Sequence, residues 1–546
     1  MQVPIKSAER LRFFLSLYAE AEARMPVKDF GSWLAQYRGS TELDGSTEAA
    51  ATVRNITYEL IEAQVSTDIP SAVVRPVSWS EARDRNAKAI ERLCANARVR
   101  QPFDTYNDLC ERRTYIYGGS VWLCEWDAVE GEARVHNLSP DAFVGQPDIC
   151  QIEQMEYCFL RFLYTKEELM RTFSVSAAAA EQAACGGDTV QVLVCWYRNE
   201  KGRVSRFVFS ETAIFSDDED YYARRNQPFE ILVREKARSD GTTVPAGTVL
   251  PYYRPDRFPI VIRRNTSQDG NLLGQSDCQF IRPQQQAINK VESRILQKLM
   301  RSGVYPVVPE GAAISQLSNE VLEQVIHLRR DQSMSQFGVI DTQPDIQDDV
   351  AHSERLYDQA KRILGMSDTY LGMDESVSLS GISRQLQVNQ SAGRLASKRK
   401  MKNAAYAELD RVLFELYLAF ADDPRMLTWR DGAGRIHNSV FNRYDFLEQD
   451  ASGEWYYEAG YLFSCESQAE SGYDRQTLWQ EIRKNLAEGA FGDPTDKETL
   501  LIFWQNMERA HYPFARENVE RLEARLTSEK EETVDGGKND IANVCR

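Results

Sequence analysis

The stretch that most constrains this chain is residues 379–423, which hold no proline and only two glycines, Gly381 and Gly393. A continuous helix over it, at about 1.5 Å per residue, would be on the order of 60 Å long. Its two halves differ. The C-terminal half carries Ala405, Leu409, Val412, Leu413, Leu416 and Phe420 at helical spacing, an apolar stripe that needs a core. The N-terminal half crowds Gln385, Gln387, Asn389, Gln390 and Ser391 ahead of a basic run, Lys398, Arg399, Lys400 and Lys402. A helix polar over that length bridges domains through solvent or packs against copies of itself. The plain alternative is a solvated helix in an ordinary monomer.

The preceding segments share the problem. A first central helix starts near Ser276 or Asp277, either of which can cap it. Ile288, Val291, Ile295, Leu296 and Leu299 form its stripe, Pro283 falls in its first two turns, and Gly303 stops it. Residues 304–340 read as a compact α/β insert with Pro306, Pro309 and Gly311 and a small helix near 317–324. A second central helix spans about 346–364, with Asp345, Asp348 and Asp349 at its start and Lys361 and Arg362 at its end, the signs the helix dipole favours. Gly365 stops it, and the loop 366–379 leads into the long helix.

Upstream, helices are expected at 5–25, 48–66, 79–96 and 102–117, with a short loop after the first and an extended connector, 69–77, between Pro70 and Pro76. Gly118 and Gly119 end the fourth. The period then changes to that of strands: 121–126, 133–138 (paired with the first through Gly131), 156–163, 189–197, 205–215, 228–233 and 258–262. Helices at 166–173 and 176–184 lie between them, and 237–255 is irregular. Strands return at 426–429, 439–446 and 455–463. Helices close the chain at 474–488, 495–510 and 514–527, before a charged tail from Ser528. The class is α+β with a mostly antiparallel sheet.

With 546 residues, of which 42% are hydrophobic and 27% charged, the chain suits a globular protein of several domains. No run of about 18 apolar residues offers a membrane span, and residues 1–12 hold no signal-peptide core, so secretion is not expected. Ten cysteines without a CxxC pair fit reduced thiols. The net charge of −17 excludes a broad basic surface for nucleic acid, so any contact with DNA must be local or weak. There is no GxxxxGK[ST], GxSxG or HExxH. The five histidines, His136, His327, His352, His437 and His511, stand apart from one another. No catalytic residue, metal site or cofactor is implied. With 82 Asp and Glu, a carboxylate pair carries little information.

Four passages carry a resemblance. They are Asn55-Ile56 through Glu62-Ala63-Gln64 to Ile69-Pro70; Gly118-Gly119-Ser120-Val121-Trp122 with Glu125-Trp126-Asp127; Phe258-Pro259-Ile260-Val261, then Gly274-Gln275-Ser276-Asp277 and Gln284-Gln285-Gln286-Ala287-Ile288-Asn289-Lys290; and Ser380-Gly381 opening the long helix. In order and spacing they resemble the portal proteins of tailed bacteriophages, over about residues 50–425. Ile382 and Ser383 depart from the small residues that family often places there.

The resemblance implies a portal-type fold and a ring, usually a dodecamer. The wing would be residues 1–275 and 425–472, the stem helices 276–302 and 346–365, and the clip 303–345. The tunnel loop would be 366–379, the long wing/tunnel helix 380–424, the crown 473–527, and the flexible tail 528–546. It implies a passive channel at one capsid vertex, not an enzyme. Double-stranded DNA would pass through it. The clip would dock the terminase and then head-completion or adaptor proteins, and major capsid and scaffolding proteins would be neighbours. Asp374, Glu375 and Ser376 would lie in the tunnel loop. Lys398, Arg399, Lys400 and Lys402 would damp or centre DNA, or pair with acidic neighbours across subunits. Glu320, Glu323, Arg329, Arg330 and Asp331 would be clip docking charges. An acidic bore would repel DNA over about 8 Å at physiological salt, so that the duplex slides. Two other readings fit the composition: a carbohydrate- or nucleic-acid-processing enzyme with a helical insertion, and a non-viral oligomeric scaffold.

Overall fold

The computed structural model describes residues 1–522 except 2, 5, 26, 41–53, 224–228, 301–302, 308–334, 336–337, 343, 367–370, 372–380, 431–435, 467–471, 510–511, 513–514, 516 and 520, and gives backbone alone in parts of some elements, residues 381–394 among them. Its helices are α1 (Ser7–Ala23), α2 (Val27–Arg38), α3 (Ile56–Glu62), α4 (Glu81–Arg100), α5 (Phe103–Tyr117), α6 (Lys166–Phe173), α7 (Ala177–Ala184), α8 (Asp277–Met300), α9 (Gln347–Leu364), α10 (Gly381–Phe420), α11 (Gly472–Ala487) and α12 (Lys497–Arg509). The class is α+β, and every strand pairing is antiparallel. No described helix is long and apolar enough to cross a membrane.

Two sheets organise the body. The larger has five strands in the order Phe143–Gly145, Tyr157–Thr165, Thr189–Arg198, Val204–Phe209 and Ile214–Asp218. One face is covered by α1, whose Phe14 stacks on Phe207 with ring centroids 4.8 Å apart and whose Tyr18 and Ala21 fill the same cluster. The smaller sheet has Gly119–Asp127 at its centre, between Ile260–Arg264 and Glu132–Leu138. The C-terminal half of α10 lies against it. Tyr406 meets Trp122 edge-on at 5.1 Å, and Tyr417 meets Trp126 at 5.3 Å. The expected stripe, Ala405, Leu409, Val412, Leu413 and Leu416, is buried in this main core, with Phe420 packed at its edge.

Helix α8 runs through Pro283 and packs antiparallel to α9. Ile281 and Ile288 meet Tyr357, Ala360 and Leu364 near one end, and Lys298 pairs with Asp349 toward the other. The strands Gly303–Val307 and Gly338–Thr342 pair at that far end. Gly365 adopts the left-handed conformation expected of a stop, with φ +78°.

Several expectations change. Residues 27–38, read as loop, form α2, and its Phe30 and Trp33 are buried. The connector is a strand, Ser71–Pro76, paired with Tyr461–Glu466 so that Ser71 faces Glu466 and Pro76 faces Tyr461. Proline is tolerated at this strand end. The strand expected at 205–215 breaks after Phe209, where the backbone turns from Ser210 to Ala213. The strand at 439–446 ends at Phe441 and gives way to a short 3-10 turn, Arg443–Phe446. The strand at 455–463 is two, Trp455–Tyr457 and Tyr461–Glu466. The helix expected at 48–66 is described only as α3, capped by Asn55, whose side chain accepts the Tyr58 N–H; its earlier part lies outside the described residues. So do the small helix near 317–324 and most of 514–527.

Candidate functional site

The glycines after α5 set the geometry of the centre. Gly118 has φ +89°, and a Cβ there would sit 2.6 Å from the Gly274 carbonyl oxygen. One on Gly119 would sit 2.5 Å from that of Leu273. The helix stop therefore also lets two backbones touch, which brings Asp277 at the start of α8 close to α5. Ser276 Oγ accepts the Cys278 N–H and donates to the Ile116 carbonyl.

Around this contact lies a buried network of charge. Glu111 on α5 is 0% exposed; it pairs with Arg263 at 2.6 Å and Lys402 at 2.8 Å, themselves 2% and 6% exposed. Its other oxygen accepts from the Ser66 N–H and the Tyr115 hydroxyl. Burial alone would raise the Glu111 carboxyl; Arg263 and Lys402 together outweigh it and hold it below the usual glutamate range. Lys402 Nζ also donates to the Asp68 and Ser66 carbonyls. One turn earlier, Lys398 Nζ donates to both oxygens of Asp277, at 2.9 and 2.6 Å, and to Gln64 Oε1 at 2.8 Å. Asn265 and Gln64 donate to the same carboxylate. Three neutral side chains extend the network: Gln36 donates to Thr57, which donates to Gln285. Further along α10, Asp410 is fully buried and pairs with Arg98 of α4. These contacts tie α10 to residues 64–68 after α3, to α4, α5 and α8, and to the strand Ile260–Arg264.

Of the expected channel cations, Lys398 and Lys402 are largely buried and form ion pairs with Asp277 and Glu111 of the same chain. Arg399 is half-buried and Lys400 exposed. The distinction was present in the spacing. Positions 398, 402, 405, 409, 412 and 416 fall on one helical face, the apolar stripe itself, whereas 399 and 400 fall beside it. Sequence reading missed Glu111, Arg263 and Asp277 as partners, because they lie far away in the chain. Asp374, Glu375, Ser376, Glu320, Glu323, Arg329, Arg330 and Asp331 lie outside the described residues.

Among the described residues, no group of three or more His, Cys, Asp or Glu side chains is placed to hold a metal ion. What these side chains do is fasten a long helix onto an antiparallel sheet and brace the start of α8, the arrangement of a structural scaffold. The family model for phage P22-like portal proteins matches residues 60–435, more than half of the chain, and the chain belongs to that family. The family is a structural one. Membership gives the chain its place at the portal vertex of a phage capsid and implies a homo-oligomeric ring through which DNA passes. No individual curated protein matches it.

Proposed function

We propose that copies of this chain close into a ring, of the dodecameric kind, whose central passage carries double-stranded DNA into the capsid during packaging and out during ejection. The energy comes from a separate terminase motor. The observation that carries this reading is the family match over residues 60–435. The 40-residue α10 supports it, because a helix whose N-terminal half is as polar as Gln385, Gln387, Asn389, Gln390 and Ser391 make it can pack against copies of itself. A rotationally closed assembly supplies partners from identical chains.

In this reading the sheets and their helices, 1–275 and 425–472, are the wing, α8 and α9 the stem, and 303–345 the clip. Residues 366–379 are the tunnel loop, 380–424 the long wing/tunnel helix and 473–527 the crown. The clip docks the terminase and later the head-completion or adaptor proteins, with Glu320, Glu323, Arg329, Arg330 and Asp331 as its docking charges. Asp374, Glu375 and Ser376, with Arg399 and Lys400, border the DNA path. Major capsid and scaffolding proteins surround the wing. The net charge of −17 suits a wall that lets a polyanion slide, since every phosphate held by a cation must be released as the duplex advances.

The test is end-on electron microscopy of the purified protein and of assembling heads. Annuli with a central hole are expected. A subunit that stays a lone compact particle at every concentration and salt, and forms no annulus within heads, would overturn the reading.

A further inference from the structure

A cleft of about 310 Å³ opens between α4 and the segments 238–240 and 439–445. On its α4 wall, Ala82, Arg85, Ala89 and Arg92 follow one another at three and four residues and so share a stripe, small residues alternating with cationic ones. Neither Arg85 nor Arg92 has a carboxylate partner among the described residues. Arg92 is nevertheless held in place. Its guanidinium lies over the Trp429 ring at 4.2 Å, and Trp429 stacks on His437, its cross-strand partner, at 4.7 Å. A guanidinium stacked on its flat face keeps its in-plane donors available.

Across the cleft the charges are already engaged. Asp240 accepts the Thr242 N–H at 2.9 Å and Asp445 the Ser239 N–H at 2.8 Å. Arg238 donates to the Tyr444 and Leu447 carbonyls. Ser439 differs: the residue lines the cleft, and its hydroxyl is buried with no hydrogen-bond partner among the described residues. A buried hydroxyl left so costs about 1–3 kcal/mol unless something pairs with it.

We propose that this cleft binds an acidic polypeptide segment of a partner protein. Arg85 and Arg92 take its carboxylates, and the Ser439 hydroxyl pairs with one of its polar groups. The two arginines start from backbone positions two helical turns, about 10 Å, apart. That spacing suits separate carboxylates on a peptide. Ala82, Ala89 and Val440 give peptide side chains an apolar bed that a phosphate backbone would not use. In a chain of net charge −17, an arginine pair on one stripe, without carboxylate partners among the described residues, is a local complement to an acidic partner. The inference does not depend on the ring.

The test uses full-length protein and a short fluorescein-labelled peptide alternating glutamate and alanine, with its glutamine counterpart, inorganic phosphate and a DNA duplex as competitors. The glutamate peptide is expected to bind and the glutamine peptide not. Binding should fall about tenfold or more in Arg85→Gln/Arg92→Gln, with unchanged circular dichroism and unchanged particle size. Arg92→Lys, which keeps the charge and loses the planar stack, should weaken it less. Equal binding by the double variant, no binding by the wild type, or displacement by phosphate or duplex as readily as by free peptide would overturn the proposal. So would loss of self-assembly in the double variant, which would make a second copy of this chain the occupant.

Discussion

Glu111 is the single carboxylate that neutralises two buried cations, and replacing it tests the anchoring of the long helix directly. Glu111→Gln keeps the side chain's shape and its capacity to accept from the Ser66 N–H, but leaves Arg263 and Lys402 positive, buried and without a counter-charge. Removing one partner of a buried ion pair costs about 3–5 kcal/mol, and with two cations stranded the upper part of that range applies. The melting temperature should fall by roughly 10 °C, since about 1 kcal/mol corresponds to roughly 2–4 °C in a domain of this class. Urea unfolding followed by tryptophan fluorescence should show the same loss, because Trp122 lies beside Tyr406 one turn along α10. The companion variant Glu111→Leu/Arg263→Met/Lys402→Met removes all three charges. An all-apolar replacement of a buried network is often neutral or stabilising, so it should recover most of the stability. A Glu111→Gln protein within about 0.5 kcal/mol of wild type, or a triple variant worse than the single, would refute the reasoning.

Four further outcomes follow from the same contacts. Lys398→Met should cost about 3 kcal/mol by leaving Asp277 buried without its cation, read by urea unfolding. Arg399→Gln/Lys400→Gln should unfold like wild type, so that any change in packaging rate reports on the channel alone. Gly119→Ala should destabilise by more than about 1 kcal/mol, because its Cβ would sit 2.5 Å from the Leu273 carbonyl oxygen; thermal melts check this. Glu415 is pushed up to about 7 by burial, which outweighs the nearby Arg257 and Arg411. Its native form therefore holds a proton that the unfolded chain releases near pH 4.5. Stability is full below that value and declines as pH rises through about 7, by about 3 kcal/mol in all. Melts of Glu415→Gln across this window should lack that decline.

Much of the architecture was legible because local chemistry marks it. Thr165 and Glu168 form a reciprocal cap on α6, and Gly118 and Gly365 close α5 and α9 with positive φ, as their sequence positions announce. The stripe on α10 marked Ala405, Leu409, Val412, Leu413 and Leu416, and these are buried. What was not legible depends on distant chain. The segment Ser71–Pro76 looks like a connector between two prolines, and only Tyr461–Glu466 makes it a strand. α2 is a different case: Val27, Phe30, Trp33, Leu34 and Tyr37 recur at helical spacing, so its periodicity is in the sequence, and folding adds only the partner, as where Phe30 meets Tyr117 of α5. Lys398 to Lys402 look like one solvated basic run until Asp277 and Glu111 are brought alongside by folding. A charge run says nothing about its partners; the helical face on which each member lies says more.

The pairing of Ser71–Pro76 with Tyr461–Glu466 also sets a timetable. The first strand leaves the ribosome long before its mate, which follows only after α8, α9 and the long helix have been made. Ser71 pairs with Glu466, and with synthesis at about 5–20 residues per second the gap is roughly 20–80 seconds. Throughout that interval an unmatched strand edge stands open, in a cell where many sister chains are being translated at once. Whatever shields that edge during synthesis governs how much of the newborn protein escapes clumping before it can build anything.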